Sequence, residues 1–215
     1  MEVWRANSTQ TARVASQTCA TVDKRTYTRM LTEYLHQDLD ILCLTSYPGG
    51  AEAIKRQLCA TDNRFYTVKA RNPRDRYRVL YWRTDSDEVG FDRFKVDILI
   101  PGVMDLPYIH PHYIIKFDKL PCAPLALLLF HKLQGWDERR NSTRTDYLAK
   151  IPGDVRDIGD LLRIANRLGL NVTNSKPYIT DSFREISYER VREFSFEHSE
   201  YASLWMGLGL SNPLL

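Results

Sequence analysis

The sequence contains no apolar run that is long enough to cross a membrane. The longest such run, Ala123 to Phe130, is far shorter than the roughly 20 residues that a membrane-spanning helix requires. The opening segment, MEVWRANSTQ, also lacks the apolar stretch of a signal peptide. We therefore expect an intracellular protein, in the cytoplasm or the nucleus, with no membrane partner.

Cysteine is scarce, and its spacing argues against a zinc site. The chain has 4 cysteines, and no two of them form a CxxC pair. Cys43 lies inside an apolar strand pattern, as expected of a buried thiol. Buried thiols are therefore favoured over disulfides and over zinc ligands.

The chain also lacks a strong charge of either sign. Its formal net charge is +3, and 27% of its 215 residues are charged. Such a balance does not by itself indicate a nucleic-acid-binding protein. The 43% hydrophobic content is enough to build a compact core.

One local cluster is basic. Between Lys69 and Arg83, one lysine and five arginines are interspersed with Tyr77, Tyr81 and Trp82. Such a mixture can hold phosphates and stack bases, and it is also typical of a hairpin whose arginine face is simply solvated. Within this cluster, Arg76 and Arg78 are the candidate substrate-binding residues.

The first part of the chain alternates helices and strands. Apolar periodicity predicts a helix over residues 24 to 36 and a strand that begins at Asp38. A second helix is predicted over residues 52 to 58, after a Pro-Gly-Gly turn. RFYTVKA and YRVLYWR then predict a hairpin of two strands, and FKVDILIPG predicts a further strand, after a loop over residues 85 to 92.

The second part of the chain is predicted to be helical. Residues 103 to 120 contain several prolines and are expected to be irregular. We place the domain boundary there, with a core at 1–120 and a helical extension at 121–215 packed on it. Helices are predicted from Leu125 to Trp136 and from Asp154, as the cap, to Gly169, with a charged gap at 137–153 between them. A capping box at Ser182 and Glu185 is predicted to open the last helix.

Three aspartates in two of these strands suggest a metal site. Asp38 and Asp40 are two residues apart, so they share one face of their strand. Asp97 lies within the apolar sequence KVDILI, where a buried carboxylate would need a cation. If the two strands are neighbours, the three carboxylates converge on a site that suits Mg²⁺ and the phosphates it carries. Alternatively, Asp38 is a turn residue, Asp40 is a solvated residue and Asp97 is an unrelated charge.

At these residues the chain resembles a known family. The segments DLDILCLTS, IKRQL, RFYTV, YRVLYWR and KVDILIPG resemble the nucleotidyltransferase-fold proteins that are common in mushroom-forming fungi. Downstream, HKLQGWDERR and DVRDIGDLLRIA are similar to the helical extension that these proteins share with bacterial abortive-infection nucleotidyltransferase toxins. The resemblance covers residues 38 to 165.

The resemblance implies a fold, a reaction and a set of residues. The fold is an α/β (α+β) core with a nucleotidyltransferase-like mixed sheet and a helical C-terminal extension. The reaction moves a nucleoside monophosphate from a nucleoside triphosphate to a hydroxyl of RNA, protein or a small molecule, with Mg²⁺ or Mn²⁺ as cofactor. The implied catalytic and metal-binding residues are Asp38, Asp40 and Asp97. The extension is expected to supply Lys132 and Asp157 to substrate binding, with Arg156 next to Asp157.

The chain departs from that family at one motif. Members have a Gly-Gly or Gly-Ser pair before the acidic strand, whereas the first glycine here is Gly49. Close backbone approach to a triphosphate is harder without glycine. A second hypothesis therefore stays open, in which the chain is a catalytically degenerate binding module for RNA or a protein partner.

Overall fold

The computed structural model describes residues 38–43, 48–71, 73–83, 93–103, 106–117, 120–175 and 177–214. The chain divides into two compact units, Met1–Cys122 and Ala123–Leu215. The first carries a mixed sheet and the second is helical, which confirms the predicted α+β class. The predicted helix over residues 24 to 36 and the predicted loop over residues 85 to 92 lie outside the described residues.

The sheet of the first unit has four strands in the order β1-β4-β3-β2. β1 runs parallel to β4, whereas β4 and β3, and β3 and β2, are antiparallel. The predicted hairpin is confirmed as β2 and β3. The elements are β1 (Asp38–Leu42), helix α1 (Gly50–Thr61), β2 (Phe65–Lys69), β3 (Arg78–Arg83) and β4 (Arg93–Leu99).

One face of this sheet forms the core of the first unit. Because strand side chains alternate between faces, the buried apolar residues of β3 and β4 share one side of the sheet. Leu80 and Val96 are fully buried there, and Ile54 and Leu58 of α1 pack against them. Lys55 of α1 is also buried, and its Nζ donates to the Arg78 carbonyl oxygen at 2.6 Å.

The other face of the sheet carries polar and aromatic residues beside the aliphatic Val68, Val79 and Leu99. We call it the Asp97 face. By strand alternation and register, it includes Asp40, Tyr66, Tyr81, Arg83, Arg93, Lys95 and Asp97.

A small hairpin follows, where the sequence predicted an irregular segment. Strands β5 (Ile115–Phe117) and β6 (Leu120–Cys122) pair antiparallel, after a 3₁₀ turn at Pro111–Tyr113. The prediction was wrong here because three-residue strands are too short to show an alternating pattern, and proline is tolerated on an edge strand.

The second unit is built around aromatic side chains. Phe130, Trp136, Phe194 and Trp205 are fully buried. Trp136 and Phe194 meet edge to face, with ring centroids 5.0 Å apart. The helices are α2 (Leu125–Arg140), α3 (Thr145–Leu148), α4 (Ile151–Arg167), α5 (Asp181–Glu197) and α6 (Ala202–Gly207).

Helix boundaries in this unit differ from the predicted ones. α2 continues through Arg140, and α3 lies inside the predicted gap at 137–153. Asp154 does not cap α4, which begins at Ile151; it is buried and accepts a hydrogen bond from Arg139 Nη1 at 2.5 Å. Thr180, rather than Ser182, caps α5 by accepting the Phe183 amide at 3.3 Å. The predicted end of α4 is confirmed, with Gly169 just beyond it at φ 64°.

None of the helices in the described ranges combines the length and the apolar character that a membrane span requires.

Candidate functional site

Asp40 and Asp97 are direct neighbours across the sheet. They are register partners in the parallel pair of β1 and β4, so their positions lie on the same face of adjacent strands. Neighbouring strands are about 4.8 Å apart, a spacing that lets two carboxylates share a ligand. Asp40 is exposed, and the Asp97 side chain is 41% exposed. The metal-site hypothesis required these two strands to be neighbours, and the structure meets that condition.

The predicted third ligand is Asp38. It lies two residues before Asp40 on β1 and is the register partner of Lys95. Its side chain lies outside the described part of the structure. Among the described side chains, no group of three or more histidines, cysteines or acids is placed to hold a metal ion. The three-aspartate metal site therefore stays a prediction.

Lys95 is a neighbour of this pair that the sequence analysis missed. Its Nζ donates to Asp97 Oδ2 in an ion pair, and the two side chains are 34% and 41% exposed. The expectation that Asp97 is buried was wrong, because the apolar residues around it in sequence point to the opposite face. Lys95 could have been found from its spacing, since a residue at i−2 on a strand shares the face of residue i.

An aromatic and cationic ladder lies on the same face. The Tyr66 and Tyr81 rings stack with centroids 5.7 Å apart, and Tyr81 is the register partner of Lys95. The Arg83 guanidinium lies over Tyr66 at 5.2 Å, and that of Arg93 lies over Tyr81 at 5.1 Å. Arg83 and Arg93 are exposed and are themselves register partners. The ladder thus presents two cations and two stacked rings beside Lys95 and Asp97.

The two arginines that were selected from the basic cluster lie elsewhere. Arg78, Leu80 and Trp82 are two residues apart along β3, so they share one face of the sheet. That face is the one opposite Asp97. Its Nε donates to Thr67 Oγ1 at 2.7 Å, and its Nη2 donates to the Thr67 carbonyl oxygen at 2.9 Å. Arg76 is exposed in the segment that precedes β3. The structure does not bring either arginine to the aspartates.

The candidate residues of the helical unit come together as a pair. Lys132 on α2 donates from Nζ to Asp157 Oδ2 on α4 at 2.9 Å, and both side chains are partly exposed. Arg156 is exposed on α4, next to Asp157 in sequence. Asp157 therefore already balances the charge of Lys132. Their predicted role in substrate binding stays a prediction.

Two cysteines, Cys43 and Cys59, have described side chains, and neither is placed as a reactive thiol. Cys43 and Cys59 are free, and both pack against the core of the first unit. Burial raises the pKa of the Cys43 thiol, and burial is also the main cause of the raised pKa of Cys59. Because the thiolate is the metal ligand and the nucleophile, neither residue is suited to that chemistry. Both thiols are free, but each is only partly buried, so the expectation of buried thiols is met only in part.

A comparison with known proteins finds no matching family, no matching curated protein and no matching solved structure. The resemblance to nucleotidyltransferase-fold proteins therefore remains an expectation from the sequence.

Proposed function

We propose that this chain is a metal-dependent nucleotidyltransferase that moves a nucleoside monophosphate from a nucleoside triphosphate to a hydroxyl acceptor. The observation that supports the proposal is the register pairing of Asp40 with Asp97 on one face of the sheet. The acceptor is a hydroxyl of RNA, of a protein or of a small molecule. An intracellular location, where nucleoside triphosphates are available, fits this reaction.

The donor set suits a hard divalent cation. Asp40 is exposed and Asp97 is partly exposed, so both carboxylates are accessible to an ion and to phosphate oxygens. Asp38, Asp40 and Asp97 would hold Mg²⁺ or Mn²⁺, which prefer oxygen ligands. When bound, the metal would supply charge neutralisation at the phosphates and would acidify the acceptor hydroxyl.

Asp97 is assigned the role of general base in this proposal. Its carboxylate would accept the proton of the acceptor hydroxyl as that oxygen attacks the α-phosphorus. The new oxygen–phosphorus bond forms in line with the breaking α–β bridge, and pyrophosphate leaves. The roles of Lys132, Arg156 and Asp157 in substrate binding stay predictions that the resemblance implies, whereas Arg78 lies on the face of the sheet opposite Asp97.

Metal-dependent triphosphate binding tests the proposal directly. We expect calorimetry to show that the wild type binds nucleoside triphosphates in the presence of Mn²⁺ or Mg²⁺. Asp40→Asn should weaken this binding by about 100-fold or more. Losing a residue that only hydrogen-bonds to a metal ligand already weakens metal binding by up to about that factor, and Asp40 would be a ligand itself. Asp160→Asn is the control, because Asp160 is an exposed carboxylate that pairs with Arg163 on α4. If the folded wild type bound no nucleoside triphosphate, the proposed nucleotidyltransferase function would be contradicted.

The ladder supports a second candidate function, which is a binding module for single-stranded RNA. Stacked rings and exposed guanidinium groups are what unpaired bases and their phosphates require. Unlike the enzyme, such a module would bind RNA without a divalent metal.

For this second candidate we expect metal-free binding of a short polyuridine strand, measured by fluorescence anisotropy across a salt series. Arg83→Gln should weaken binding several-fold and reduce the slope of log K against log salt by about 0.7, because one phosphate contact is lost. Arg56→Gln is the control, since Arg56 is exposed on α1, which covers the opposite face. If the Arg83→Gln variant bound RNA as tightly as the wild type does, the ladder would be excluded as the RNA-binding surface.

A further inference from the structure

Lys95 places a positive charge among the carboxylates of the candidate metal site. Its ammonium group pairs with Asp97, and its register partner is Asp38. Asp97 in turn has Asp40 as its register partner. Lys95 therefore occupies one of four adjacent positions on two strands, of which the other three are the predicted metal ligands.

The ion pair is built in a way that allows it to open. Both side chains are about one third exposed or more, so water can solvate each partner when they separate. Exposed pairs of this kind contribute little to folding. The lysine stem is flexible and carries a compact point charge, so the ammonium can move to a new partner without any change in the sheet.

A divalent cation and the Lys95 ammonium would compete for the same carboxylate. Two positive charges at this spacing repel each other, so a metal ion has to displace Lys95 from Asp97. The displaced ammonium remains on the Asp97 face, where the nearest new anion in the proposed reaction is the triphosphate. Metal alone should therefore bind less well than metal together with triphosphate.

We propose that Lys95 is an internal counter-cation of the carboxylate site, which holds Asp97 until metal binds and then transfers its ammonium group to the triphosphate. This inference rests on the proposed nucleotidyltransferase function and adds a residue that couples metal binding to nucleotide binding. Lys95 is a positioning residue in this scheme and takes no part in bond making.

The test compares the wild type with Lys95→Met, which removes the charge and keeps the stem. Mn²⁺ is titrated first alone and then with ATP present, by calorimetry and by the paramagnetic resonance signal of free Mn²⁺. We expect Lys95→Met to bind Mn²⁺ alone about tenfold more tightly and the Mn²⁺–ATP combination about tenfold more weakly. Two shifts of opposite sign are a result that a merely structural role would not give.

Two further variants sharpen the comparison. Lys95→Arg keeps the charge and should retain the weak binding of Mn²⁺ alone. Lys69→Met is the matched control, because Lys69 is an exposed lysine whose register partner, Arg78, lies on the opposite face of the sheet. Lys69→Met should leave both titrations within about twofold of the wild type.

The outcomes separate this inference from the function on which it rests. If Lys95→Met and the wild type bind Mn²⁺ alone equally, the counter-cation role is overturned while the metal site stands. If no variant binds Mn²⁺ at all, the metal site and the role of Lys95 are both overturned. Tighter binding of Mn²⁺ alone that Lys69→Met does not reproduce supports the assignment.

Discussion

Changing Asp97 to asparagine is expected to reduce metal-dependent nucleotidyl transfer by about 10³-fold or more, which corresponds to roughly 4 kcal/mol of lost transition-state stabilisation. Asparagine keeps the shape of the side chain but removes the charge that would bind metal and the basicity that would accept the proton. The readout is the release of pyrophosphate from each nucleoside triphosphate with Mn²⁺. Transfer of the labelled α-phosphate is followed into RNA, protein and small-molecule fractions.

A folding control is needed because the substitution also removes the partner of Lys95. That lysine is one third exposed, so water replaces the lost contact, and we expect the free energy of unfolding to change by less than about 1 kcal/mol. Asp160→Asn should leave both the activity and the stability unchanged. An Asp97→Asn variant that keeps more than a tenth of the wild-type rate would show that Asp97 is neither the base nor an essential ligand.

The strands of the first unit could be predicted because their side chains alternate clearly. In β4, Phe94, Val96 and Ile98 are buried on one face, and the intervening residues are polar up to Asp97. The neighbouring position of β1 and β4 was only a condition of the argument. Parallel pairing joins segments that are far apart in sequence, and no local pattern specifies it.

The site could be predicted only in part, for a reason that concerns the faces of the sheet. Asp97 was expected to be buried because its sequence neighbours are apolar, but those neighbours point to the core and Asp97 does not. The alternation of side chains along a strand places Lys95 on the Asp97 face and Arg78 on the opposite face. The composition of the basic cluster does not show on which face each arginine lies. The position of Arg78, two residues before the buried Leu80, does show it.

Helix starts show a further limit of local signals. Thr180 and Ser182 are both hydroxyl residues at the entrance of α5, and the capping-box pattern favoured the second. The residue that caps is the one whose backbone is still extended, and Thr180 has φ −63° and ψ 151°. That conformation is determined by how the preceding segment enters the helix, which the spacing of two polar residues does not report.

Changing Phe194 to alanine is expected to lower the free energy of unfolding of the helical unit by about 3 to 5 kcal/mol. Phe194 is fully buried, and its ring lies 4.9 Å from His198 and 5.0 Å from Trp136, measured between centroids. Tyr201 and Trp205 complete the cluster at 5.7 and 6.5 Å. Alanine would leave a cavity that these large, rigid rings cannot fill by small movements. Urea unfolding followed by circular dichroism measures the effect.

Phe196 provides a matched control on the same helix, because it is the same residue type and is 83% exposed. Phe196→Ala should change the free energy of unfolding by no more than about 0.5 kcal/mol. Equal losses in the two variants would mean that helix propensity, and not the aromatic cluster, determines the stability of α5. A large loss in Phe194→Ala alone would show that the helical unit is held by the packing of α5 against Trp136 of α2.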